Sequence, residues 1–179
     1  LEAEDVQALL MFLITPFAGL ALAQVLRTPI FSCSDDDLML VSQFRTEDTG
    51  VSDAARANEA GCFNQSSIPN PQSSSWWERL QQLPEPSQSL HRATKILKNW
   101  LALADKLPVH DLLDRIYFEG DVIARYTAVM PIEMRAKVTA NLHAFMEMAL
   151  SVDAGRYPSL PRFLQELREL RNSNDDAPD

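Results

Sequence analysis

Apolar residues recur at three- and four-residue intervals along nearly the whole chain, and no run alternates apolar with polar. That spacing constrains the fold more than any other feature, because a period near 3.6 collects side chains on one face of a helix whereas a strand needs a period of two. Val6, Leu9, Leu10 and Leu13 form the expected buried stripe of a helix over 2–14, with Glu2, Glu4 and Asp5 at its positive end. A second helix is predicted over 18–27, stopped by Thr28-Pro29, with Ile30-Phe31 as an apolar anchor. Ser34-Asp35-Asp36-Asp37 reads as a capping box that opens a helix bearing Leu38, Met39, Val41 and Phe44. Further helices are expected from Trp76 to the Leu83-Pro84-Glu85-Pro86 stop, then from Ser87 to about Leu107, with Leu90, Ile96, Leu97, Trp100, Leu101 and Ala104 on one side. The next expected helix opens at Pro108-Val109-His110-Asp111, carries Leu112, Leu113, Ile116 and Tyr117, and closes at Gly120. A segment over 121–129 precedes Pro131, which starts a long helix to Ser151 bearing Val138, Leu142, Phe145, Met146 and Leu150. After a break at Asp153-Ala154-Gly155, Ser159-Leu160-Pro161 opens a last helix that buries Phe163, Leu164, Leu167 and Leu170. The prediction is an all-α, irregular multi-helix domain of about eight or nine helices. It fills residues 1–171 as one unit, with 172–179 as a tail or cut linker.

Periodicity fails over 46–75, which is rich in Ser, Asn, Pro, Asp and Gln and reads as a long mobile polar loop with a short helix near 53–59. The mostly apolar stretch 6–26 is too interrupted for a membrane span. Gln7, Thr15, Pro16, Gly19 and Gln24 break it, and its unbroken apolar runs fall far short of the ~20 residues a bilayer requires. Two short buried helices joined at Thr15-Pro16-Phe17 account for it, and the acids at Glu2, Glu4 and Asp5 stand where a signal peptide carries positive charge.

Composition removes several function classes. The chain of 179 residues holds five Gly and neither G-x-x-x-x-G-K-[ST] nor G-x-G-x-x-G, so neither phosphate-binding loop is encoded. Cys33 and Cys62 form no C-x-x-C, and with His91, His110 and His143 scattered no zinc pattern assembles. Two lone thiols suit a reducing cytoplasm, and the sequon Asn64-Gln65-Ser66 is a chance match. No catalytic, cofactor-binding or metal-binding residue is assigned. His110 beside Asp111 lacks a nucleophile and a third group, and helix capping explains the pair better; His143 reads as structural.

Net charge is −9, which argues against a strong free-standing nucleic-acid binder. Its distribution is uneven: residues 1–60 carry −7, 61–110 carry +2 and 111–179 carry −4. The positive island lies on the helix after Ser87, where Arg92, Lys95 and Lys98 recur every three residues beside His91. These three are the candidate DNA phosphate contacts, and a merely solvated helix face is the competing reading. Trp76-Trp77 offers a stacking platform for bases, but neighbours on a helix diverge by about 100°, so one of the two is expected in the core. Asp35 to Asp37 explain themselves as capping acids, since an EF-hand loop needs wider spacing.

The order of short motifs resembles UvrD/Rep-type superfamily 1 DNA helicases, nearest the AddA/RecB branch. The resemblance rests on Glu4-Asp5-Val6-Gln7-Ala8-Leu9-Leu10, then Leu26-Arg27-Thr28-Pro29-Ile30-Phe31 before Ser34-Asp35-Asp36-Asp37-Leu38. Trp77-Glu78-Arg79-Leu80, Leu112-Leu113-Asp114-Arg115-Ile116-Tyr117, Arg135 through Asn141-Leu142, and Tyr157-Pro158-Ser159-Leu160-Pro161-Arg162-Phe163-Leu164 follow in family order. It covers most of the chain outside 46–75, and departs from the family at Thr28, often Ser there, and in the long polar loop. The resemblance implies the inserted, all-helical 2B domain of such a helicase, cut near motif boundaries, with the ATP and Mg sites, arginine fingers and any nuclease carboxylates elsewhere in a parent chain. The implied function is regulation and duplex positioning in an ATP-dependent helicase, or helicase-nuclease, of double-strand break repair and recombination. Implied partners are DNA, held weakly, the parent's own motor domains and a second nuclease subunit, in the cytoplasm and away from membranes. The alternative is a stand-alone acidic helical protein-interaction module.

Overall fold

The computed structural model describes residues 2–44, 74–151 and 159–175, and the regular structure in them is α-helical throughout. In order these are α1 (Glu2–Ile14), α2 (Gly19–Arg27), α3 (Asp35–Gln43), α4 (Trp76–Gln82), α5 (Gln88–Ala104), α6 (Val109–Glu119), α7 (Val122–Val129), α8 (Ile132–Ser151) and α9 (Leu160–Asp175). The all-α expectation holds. Nearly all of the 46–75 loop, with its expected short helix, Cys62 and the Asn64 sequon, lies outside the described residues, as does the break after Ser151.

Helix α1 is the hub, packed against α2, α5, α8 and α9. Three successive residues, Ala8, Leu9 and Leu10, are buried with Val6, Phe12 and Leu13, a coverage that a helix lying on a surface does not reach. Two hydrogen bonds to its carboxylates fasten it to the distant C-terminal half. Tyr126 Oη donates to Asp5 Oδ2 at 2.8 Å, and Asn141 Nδ2 donates to Glu2 Oε1. Expectation and structure part at α2, read from sequence as buried: Leu22, Val25 and Leu26 are, but Leu20 is 85 % exposed because only one face of α2 meets α1.

Between α2 and α3 the chain turns on Thr28, whose hydroxyl donates to the Val25 carbonyl at 2.7 Å and whose own carbonyl accepts from Phe31 and Ser32. Ile30 and Phe31 are buried, the anchor the sequence suggested. Ser34 then caps α3 with both halves of the capping box: Asp37 N–H donates to Ser34 Oγ, and Ser34 N–H to Asp37 Oδ2. Of the apolar residues assigned to α3, only Val41 is buried and Met39 is exposed, since α3 packs against α2 and α4 alone among the stronger helix contacts.

Helix α5 begins at the predicted cap, with Leu90 N–H donating to Ser87 Oγ, and ends at Ala104 rather than near Leu107. The N–H groups of Lys106 and Leu107 both turn back to the Leu103 carbonyl, and Pro108 disfavours a helical Leu107. At the α6 to α7 junction Gly120 keeps an ordinary helical φ and Asp121 takes the left-handed one, φ 50. Gly120 is required for space: an added Cβ would stand 2.7 Å from the Ile116 carbonyl oxygen and 3.3 Å from both Ile30 and Trp100.

Two more residues assigned to apolar helix faces lie outside the core. In α8 the buried stripe is Val138, Leu142, Phe145 and Ala149, and Leu150, one residue off that line, is 52 % exposed. In α9 the buried residues are Leu160, Phe163 and Leu164, while Leu170 is 47 % exposed near the end of the helix. Helix α9 itself continues to Asp175, past the point at Asn172 where composition suggests a tail. No helix among the described residues is long and apolar enough to cross a membrane.

Candidate nucleic-acid interface

Helix α5 positions the candidate phosphate contacts. Its core side is Leu90, Ala93, Leu97, Trp100 and Ala104, a stripe at steps of three and four residues that packs toward α1, α4 and α6. At about 100° per residue, the direction opposite that stripe passes through His91, Lys95 and Lys98. All three are exposed. Lys95 and Lys98 form no ion pair with a described residue, so both charges face outward.

Arg92 does not share that face. A step of three residues repeated twice turns the direction by about 120°, which carries Arg92 to the flank of α5. There its Nη1 donates to the Ile30 carbonyl at 2.5 Å and its guanidinium lies 5.8 Å from the Phe31 ring centroid. Burial lowers its pKa, reinforced by Arg125 nearby and opposed by Asp121, which leaves it a cation held in the fold. The sequence signal that separates the two roles is the i, i+4, i+7 spacing of His91, Lys95 and Lys98; the simpler repeat of three hid it. Arg125 on α7, absent from the sequence candidates, adds positive charge beside Arg92, and its Nε is buried without a hydrogen-bond partner among the described residues.

The tryptophan pair divides as the helix geometry predicts. Trp77 is buried and meets Phe12 edge-on, ring centroids 5.4 Å apart at 70°. Trp76 is half-buried, its ring laid over Gly19, where an added Cβ would stand 3.3 Å from the indole. The open cleft beside it is lined by Phe17, Ser75, Glu78 and Arg79. Glu78 is engaged in a capping box with Ser75, and Arg79 donates to the Ser42 carbonyl at 2.8 Å, so neither is a free phosphate ligand.

The remaining candidates resolve locally. Asp37 serves the α3 cap and Asp35 pairs with Arg27 at 3.2 Å, and among the described residues no three His, Cys, Asp or Glu side chains gather as metal ligands. His110 Nδ1 lies 3.6 Å from Asp111 Oδ1 inside the first turn of α6. Neither residue is the cap, which corrects the sequence reading: Pro108 occupies that position, without a side-chain hydrogen bond, because the proline itself supplies the extended backbone that enters the helix. His143 is exposed on the outer side of α8 and is not a core histidine, since Leu142 takes the inward position. Cys33 is buried, and desolvation with the Asp37 carboxylate nearby pushes its thiol up to about 12, which suppresses the thiolate needed for nucleophilic chemistry.

What this arrangement can do is electrostatic. Two mobile ammonium groups and an imidazole on one helix face can touch successive backbone phosphates, without the planar forks that read base edges. No family model matches the chain, and no curated protein matches it.

Proposed function

We propose that the chain is a regulatory and duplex-positioning domain of an ATP-dependent DNA helicase, of the UvrD/Rep type and nearest the AddA/RecB branch. The observation that supports it is the outward stripe His91, Lys95 and Lys98, unpaired by described acids, on a molecule whose net charge is −9. Such a face holds a phosphate backbone weakly and without sequence preference, and the acidic remainder repels it. Within a motor this suits a block that orients the duplex ahead of the fork and lets it move on. ATP and Mg, and any nuclease chemistry with its second subunit, belong in this reading to other parts of a parent chain or complex in the cytoplasm. The motor domains of that parent are its nearest partners.

The motif residues that carry the family resemblance hold the fold. Leu26, Ile30, Phe31, Trp77, Leu80, Leu112, Leu113, Ile116, Tyr117, Leu142, Phe163 and Leu164 are buried, and Ser34 with Asp37 form a cap. Their roles are structural, so the DNA contact in this reading rests on α5.

Fluorescence anisotropy with labelled forked and duplex DNA tests the reading. Binding is expected to be weak and to fall with salt, with a log–log slope of about −2 for two phosphate contacts. Lys95→Glu with Lys98→Glu should abolish it without lowering the melting temperature. Absence of binding at every salt concentration would remove the DNA role and leave the alternative, a stand-alone acidic protein-interaction module, which the exposed apolar residues Phe17 and Leu20 favour. Parentage has its own test in the reading frame around these residues, which should encode a Walker A loop and a Thr-Ile-His motif.

A further inference from the structure

Helices α1, α2 and α3 carry six carboxylates, Glu2, Glu4, Asp5, Asp35, Asp36 and Asp37, against one basic side chain, Arg27. Between these helices runs an open groove of about 590 Å³, whose apolar surface comes from Leu20, Ala23, Pro29 and Leu38 and whose rim includes Asp5 and Arg27. Leu20 is the most exposed large apolar side chain among the described residues, at 85 %. The charges at the rim are already arranged. Arg27 is engaged by Asp35 at 3.2 Å, so it does not neutralise Asp36, which is exposed. Asp5 is fixed in place by Tyr126 Oη at 2.8 Å and Gln24 Nε2 at 3.3 Å, both neutral donors that leave its negative charge uncompensated.

We propose that this groove docks a cationic amphipathic segment of a partner protein. Apolar side chains of that segment, spaced at i, i+3 and i+4, seat on Leu20, Ala23 and Leu38, and its Lys or Arg residues face Asp5 and the acids at the start of α3. Apolar contact supplies the hold and charge selects the partner's sign. The same acids repel phosphates, which separates this groove from the α5 face; no residue of α5 lines it.

The test uses the 179-residue chain and a fluorescein-labelled synthetic Leu/Lys amphipathic helix, read by anisotropy at low and moderate salt. Saturable binding is expected, weakened about tenfold or more by Leu20→Ser, a change the core does not feel because the side chain is exposed. An unchanged melting temperature confirms that. Asp35→Asn with Asp36→Asn should weaken binding a few-fold and flatten its salt dependence. A Ser/Lys peptide of equal charge and a Leu/Glu peptide of equal pattern should each bind about tenfold or more weaker. The proposal is overturned if the Leu/Lys helix does not bind, if Leu20→Ser leaves its affinity unchanged, or if the Ser/Lys peptide binds as well.

Discussion

The Arg92 guanidinium donates to the Ile30 carbonyl at 2.5 Å, tying the middle of the chain to the turn between α2 and α3. The donor is charged and the acceptor belongs to a buried residue, so breaking the bond leaves a carbonyl short of its partner. Arg92→Ala is expected to lower stability by about 1.5–3 kcal/mol in urea unfolding. Lys95→Glu and Lys98→Glu should shift it by less than about 0.5 kcal/mol, as exposed substitutions do. Equal losses at all three positions would return Arg92 to the same role as the lysines.

The α6 to α7 junction makes a paired prediction. Gly120→Ala forces a methyl against the Ile116 carbonyl and the Trp100 ring and should cost about 1–3 kcal/mol. Asp121 next to it bears the left-handed φ of 50, so Asp121→Gly relieves backbone strain and should raise stability by up to about 1 kcal/mol. Thermal melts of the two single variants are expected to move in opposite directions. A junction that tolerated both changes alike would not be packed as described.

Alkaline pH should weaken the link between α1 and α7. Burial, with the Asp5 carboxylate and its hydrogen bond, pushes the Tyr126 phenol far above the ordinary value of 10.0, and burial pushes Tyr117 the same way. The folded chain therefore keeps protons that the unfolded chain releases. The stabilisation is fully present below pH 10 and is lost as pH rises beyond it. Urea midpoints are expected to fall above pH 10, and less steeply in Tyr126→Phe, which has no proton to lose. An identical slope in wild type and variant would exclude this linkage.

Trp77 and Trp76, adjacent in sequence, should behave differently. Trp77→Ala empties a site packed on Phe12 and should cost about 3–5 kcal/mol. Trp76→Ala removes a half-buried ring and should cost about 1 kcal/mol. Acrylamide quenching of single-tryptophan variants should find Trp76 accessible and Trp77 shielded.

Local chemistry was legible in the sequence. Helical period, the Ser34 to Asp37 capping box, the Ser87 cap and the helix start at Pro108 all depend on neighbours a few residues away, and the structure repeats them. The all-α class followed from the same local information, because no segment offered a competing period of two. Only the tertiary structure decided which of several apolar or charged residues on a helix found a partner. Leu20 and Leu150 belong to the apolar runs of their helices but are left exposed, because they point away from the buried faces formed by Leu22, Val25 and Leu26 and by Val138, Leu142, Phe145 and Ala149. Arg92 and Lys95 look equivalent in a repeat of three, yet one meets a carbonyl 62 residues away in sequence and the other meets solvent. Periodicity assigns a side chain to one face of its own helix; what faces it there is set by long-range packing, which no local pattern contains.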